Sequence, residues 1–123
     1  MSGELQALRY NSGKIRLSLV PPSLVRYVGA VLTYGAEKYD AHNWRKGFNW
    51  SSIMDSLERH YVAIKSGEDF DEESGLPHIA HLDCNAAFLT EHFDQMLGVD
   101  DRYRLKPGRV LQWNRPPAPP TGA

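Results

Sequence analysis

Between residues 22 and 96 the apolar positions recur at intervals of three and four, the period of an α-helix, in three blocks separated by polar stretches. The first block runs through Leu24, Val28, Val31 and Leu32. Pro21-Pro22-Ser23 opens it, and the pattern fails after Tyr39, where Asp40, His42, Asn43 and Gly47 break it, so a helix is predicted over 22–39. The second block carries Ile53, Leu57, Tyr61 and Ile64 and stops at Gly67. Ser51 or Ser52 stands at its expected cap, with Asp55 three residues after Ser52 in the manner of a capping box. The third carries Ile79, Leu82, Ala86, Leu89, Phe93 and Met96 between Pro77 and Gly98. Before these blocks, Arg9 to Arg16 reads as a loop or extended arm, because Asn11, Ser12 and Gly13 favour turns. After them, Arg102 to Trp113 is ambiguous and 115–123 is a Pro-rich, extended tail. The prediction is an all-α domain over 1–114 followed by that tail.

The helical phase also sorts the polar residues. His78, His81, Asn85 and His92 form a stripe bordering the apolar seam of the third helix and face inward, whereas Asp83 falls about 160° from His81 and belongs on the surface. Histidines at i and i+3 can meet one metal ion. Asp55 and Glu58 repeat that spacing beside the apolar stripe of the second helix, although taken alone a cap role for Asp55 and a surface pair of Glu58 with Arg59 or Lys65 are the stronger reading. Between the two helices lies the acidic linker Glu68-Asp-Phe-Asp71-Glu-Glu73. The combination points to a divalent cation. Oxygen ligands favour Mg²⁺ or Mn²⁺, and imidazole tilts the set toward Mn²⁺ or a later metal such as Co²⁺.

The loop from Glu37 to Trp50 holds Lys38, His42, Asn43, Trp44, Arg45 and Lys46. Aromatic faces, amides and cations together can stack a base, read its edge and meet phosphate. Lys14 and Arg16 form a second cationic pair able to reach phosphate.

Charge narrows the function classes. The net charge of −1 conceals nine Lys/Arg against five Asp/Glu in residues 1–65, none against ten in 66–101, and five against none in 102–123. A 36-residue stretch without a basic side chain is a poor nucleic-acid surface, since phosphate contacts need Lys or Arg. Across 123 residues no apolar run nears the roughly 18 that span a bilayer, and no basic-then-apolar leader opens the chain, so neither a membrane nor an export route is expected and the cytoplasm is. A lone Cys84 rules out an internal disulfide and a four-cysteine zinc site. Three amphipathic helices in a chain of this size leave apolar surface for a homo-oligomer.

Tyr34-Gly-Ala-Glu-Lys-Tyr39, Asn43-Trp44-Arg45, Arg59-His60 and the run from Gly67-Glu68 through Asp71, Glu73-Ser-Gly75 to His78-x-x-His81 occur in that order. Together, over about residues 9–93, they resemble the phage and bacterial dATP/dGTP diphosphohydrolases among the MazG-like all-α nucleotide pyrophosphohydrolases. The resemblance implies a helical bundle assembled as a dimer or tetramer. It implies metal-dependent hydrolysis of a purine nucleoside triphosphate, dGTP or GTP foremost, to the monophosphate and pyrophosphate, in host cytoplasm if the chain is phage-encoded. By the same resemblance Asp55 and Glu58 occupy the place of the first metal-binding ExxE pair, as ligands and catalytic carboxylates, and His78-x-x-His81 stands where ExxD is usual. Asp71 and Glu73 are then the sources of further oxygen ligands. His42 and Trp44 are expected at the base, with Lys38, Asn43, Arg45, Arg59 and Glu37 around the substrate. An HD-type phosphohydrolase ranks lower, because its adjacent His-Asp pair is missing, and a helical module binding a partner through its acidic face is the non-enzymatic alternative.

Overall fold

A computed structural model describes residues 7–10 and 12–104. Residues 115–123, where the Pro-rich tail is expected, lie outside the described part. Three α-helices account for most of it: α1, Pro22–Lys38; α2, Trp50–Lys65; and α3, His78–Gln95, with no strand among the described residues beyond two isolated bridges. The all-α expectation holds, and the ends of α1 fall within a residue of the predicted ones. A separate N-terminal unit contributes a 3₁₀ turn, Leu17–Leu19, and carries Lys14 and Arg16.

In the helical unit, α3 packs against both α1 and α2. The face it turns inward is the polar one: His78, Asn85 and His92 are buried with Ala80 and Cys84, while Ile79 and Phe93 of the predicted apolar seam remain about half exposed. Asp83 is half-buried rather than on the surface, and burial raises its carboxyl above the ordinary value. The inward stripe read from the helical wheel is thus present. Part of the apolar seam beside it stays exposed.

Two local devices fix the frame. The first is at the start of α2, where neither Ser51 nor Ser52 caps the helix. Asn49 is the cap residue, without a side-chain cap bond. Asp101 supplies the cap from the far end of the chain instead, one carboxylate oxygen accepting from the Ser51 N–H at 2.8 Å and the other from its hydroxyl at 2.5 Å. A carboxylate at a helix N-terminus satisfies orphan donors and matches the helix dipole. Those hydrogen bonds hold the Asp101 carboxyl below its ordinary value. A folded-state value below the unfolded one means stabilisation present above about pH 3.8 and lost as pH falls through the lower folded value. Asp101→Asn is therefore expected to lower the Tm at pH 7, with the gap to the parent closing on acidification, as differential scanning calorimetry can follow.

The second device joins the α1–α2 loop to the segment after α3. The 3₁₀ turn Asn43–Lys46 leads into Gly47 and Phe48, and the fully buried His92 accepts the Phe48 N–H on Nε2 at 3.1 Å while Nδ1 meets the Phe88 carbonyl at 2.7 Å. Those partners dictate a neutral imidazole carrying its proton on Nδ1. The contact requires glycine at 98, where φ is +68° and a Cβ would stand 2.1 Å from the Phe48 carbonyl oxygen.

Candidate active site

Between α1, the 3₁₀ turn Asn43–Lys46, α2 and α3 lies an open cleft of about 1150 Å³. The face of α2 that lines it carries Ser52, Ile53, Ser56, Arg59 and His60, and the face of α3 carries His78, His81, Cys84, Asn85 and Phe88. From His78 to Phe88 the axis of α3 advances about 15 Å, so the cleft has two ends of different chemistry.

One end is aromatic. Trp44 and Phe48, brought in by the loop, lie 6.1 and 5.6 Å from Phe88 between ring centroids. Arg45 lies over the Trp44 ring at 5.5 Å. The loop reaches this position through His42, which adopts φ +62°, a left-handed conformation costly for a residue with a Cβ.

The other end is built from imidazoles and a carboxylate. His60 and His78 face each other with Nδ1 atoms 2.9 Å apart, and His81 stacks on His60 at 4.5 Å with nearly parallel rings. Asp71 comes from the linker, which Gly75 turns back so that the Asp71 N–H meets the Leu76 carbonyl and the His78 N–H meets that of Asp69. One ligand atom each from His60, Asp71 and His78 lies within 4.8 Å of the others. Ser74 donates to Asp71 Oδ2 from both its N–H and its hydroxyl at 2.9 Å, and its oxygen lies 2.7 Å from His81 Nε2.

Electrostatics match this geometry. Burial lowers His60, and the neighbouring charges of His81 and His78 lower it further. Burial lowers His81 as well, over the opposing pull of Asp71. Burial alone would raise the Asp71 carboxyl, but the two Ser74 hydrogen bonds outweigh it and hold the group below its ordinary value. Neutral imidazoles beside an ionised carboxylate are the protonation states that bind metal. The buried His78 adds an orphan, because its Nε2 makes no hydrogen bond among the described residues, a Glu68 carboxylate oxygen standing 3.4 Å away. At the rim, Glu73 bridges Lys38 and Tyr34, and the Lys38 hydrogen bond draws the Glu73 carboxyl down.

Of the residues singled out from the sequence, Lys38, His42, Asn43, Trp44, Arg59, Asp71, Glu73, His78 and His81 line this cleft. Glu37 and Arg45 are exposed and lie outside its lining. Asp55 and Glu58 are exposed and are not brought to the histidines; around α2 they lie about 100° and 160° from Ser56, which lines the cleft. His60 is the member of the cluster that spacing did not single out. It lies about 20° from Ile53 on the wheel, and a histidine on an apolar stripe is the signal that marks it.

Residues 4–102 match the family described as dATP/dGTP diphosphohydrolase, N-terminal. The chain belongs to that family. A dATP/dGTP diphosphohydrolase of Salmonella phage PMBT28 is 31% identical over 98 residues, covering 80% of this chain and 33% of the phage protein. The chain therefore spans about a third of the length of this curated relative. No solved structure matches it. The family match takes in both walls of the cleft, the acidic linker and all of α3, so the two-ended cleft is built wholly from family sequence.

Proposed function

We propose that the cleft hydrolyses a purine nucleoside triphosphate to the monophosphate and pyrophosphate, with the base at Trp44, Phe48 and Phe88 and the phosphates at the histidine end. The observation that carries this reading is the division of one cleft into an aromatic end and a cluster of His60, Asp71 and His78. The name of the phage relative supports dATP and dGTP as substrates, and dGTP or GTP is the first choice.

The donor set fits a divalent cation. Two imidazoles and one carboxylate would hold it, with His81 and Glu73 beside them, and Mn²⁺ or Co²⁺ suits the nitrogen share better than Mg²⁺. When bound, such an ion supplies charge neutralisation at the phosphates and Lewis acidity. The chain's own groups do the rest. Ser74 holds Asp71 ionised and aimed. Arg59 and Lys38 are the cations lining the cleft, placed to bind the triphosphate and to meet charge building on the pyrophosphate. Lys38 has to leave Glu73 to do so. Asp55 and Glu58, the carboxylates of the ExxE-like pair, stand apart from this cluster and receive no ligand role here.

The test is a panel of dNTPs and NTPs with Mg²⁺, Mn²⁺ and Co²⁺, the products separated by ion-exchange chromatography. Purine triphosphates are expected to yield monophosphate and pyrophosphate. Release of inorganic phosphate or triphosphate, or inertness toward every nucleotide, contradicts the reading.

We also propose a homo-oligomer. Val25 and Val62 are more than half exposed, as are Ile79 and Phe93, leaving apolar surface on all three helices that water solvates poorly. Sedimentation at micromolar concentration is expected to give a dimer or tetramer, and a monomer contradicts it.

A further inference from the structure

The proposed reaction leaves one buried polar side chain of the cleft without a task. Asn85 lines it, is only 9% exposed, and sits on α3 between His81 and Phe88. Its Nδ2 donates to the His81 carbonyl at 2.9 Å and to Ser56 Oγ at 3.1 Å. The His81 carbonyl can only accept, which fixes the amide's orientation, and the two bonds use both Nδ2 protons. What Asn85 can offer a ligand is its Oδ1, a pure acceptor. Ser56 in turn accepts from Asn85 with its oxygen, and its hydroxyl proton makes no hydrogen bond among the described residues. The pair therefore presents one rigid acceptor and one free donor at a single point of the cleft wall.

Position decides what they meet. Asn85 lies about 6 Å along the helix axis from His81 and about 4.5 Å from Phe88. A nucleotide with its base on the aromatic rings and its phosphates at the histidines carries its sugar between them. We infer that Asn85, held by Ser56, is a specificity residue that accepts a hydrogen bond from the 3′-hydroxyl of the substrate's sugar. This rests on the proposed nucleotide reading and adds to it a sugar contact. A hydroxyl both donates and accepts, so it can satisfy Asn85 Oδ1 and the Ser56 proton together. A sugar lacking it leaves a buried acceptor unpaired, a cost that binding does not recover.

The experiment compares dGTP with 2′,3′-dideoxy-GTP, and dATP with its dideoxy analogue, by kcat/KM in the wild-type protein, N85A and S56A. The wild type is expected to favour each 3′-hydroxyl substrate by about 10-fold, the scale of one buried hydrogen bond. In N85A that ratio collapses toward one, and in S56A it falls part of the way. A structural role for Asn85 lowers both members of each pair alike and keeps the ratio, which overturns the inference. The wild-type ratio needs no variant to fold, and a ratio of one there also overturns it. Wild-type hydrolysis without discrimination defeats this inference alone, whereas no hydrolysis of any nucleotide defeats the reading of the cleft with it.

Discussion

His78→Ala is expected to reduce hydrolysis of dGTP by more than about 100-fold, since losing even an outer partner of a metal ligand costs up to that much. The residue is buried, its Nδ1 lies 2.9 Å from that of His60, and its Nε2 has no hydrogen-bond partner among the described residues. No satisfied network among the described residues accounts for a histidine so placed, because a buried polar atom normally finds a partner. Steady-state rates with Mn²⁺ and Mg²⁺ check this, with a thermal melt to show that the variant folds. Glu58→Gln is the matched control, and is expected to keep most of the activity, because Glu58 is exposed on the side of α2 turned away from the cleft. The reverse outcome, an inactive Glu58→Gln and an active His78→Ala, would move the metal to the carboxylate pair of α2.

Trp44→Ala is expected to raise the KM for dGTP by about 5- to 150-fold and to leave kcat close to that of the parent. Stacking of a base on an aromatic ring is worth about 1–3 kcal/mol, and it is made equally in ground and transition states, so its loss falls on binding. The indole lines the cleft opposite Phe88, 6.1 Å away. An unchanged KM would take Trp44 out of the base site.

These two residues show how much the sequence disclosed. Helical period alone located α1, α2 and α3 and put His78, His81, Asn85 and His92 on an inward face, because a period of 3.6 is a local property. The loop holding Trp44 was legible from composition. The cluster of His60, Asp71 and His78 was only half legible, for a reason seen at Asp55, Glu58 and His60. Spacing shows which side chains share a face of one helix, but not which face meets the next helix. Asp55 and Glu58 share a face with each other, while His60 shares one with Ile53 and Ser56 and is the residue brought to His78. The cap of α2 escaped for the same reason, since Asp101 reaches Ser51 across 50 positions of sequence. Ser74 is subtler: its tie to Asp71 is a short-range turn, yet its contact with His81 depends on the linker folding back through Gly75.

His60, Asp71 and His78 are the proposed holders of the cation that serves hydrolysis. Electron spin-echo envelope modulation of the protein loaded with Mn²⁺ tests that assignment most directly, because nitrogen ligands imprint ¹⁴N couplings on the metal signal. Imidazole couplings are expected in the wild-type protein and in Glu58→Gln, weakened in His60→Ala and in His78→Ala. A hydrolytically competent protein whose Mn²⁺ shows no nitrogen coupling, and whose signal changes instead with Glu58→Gln, would contradict it.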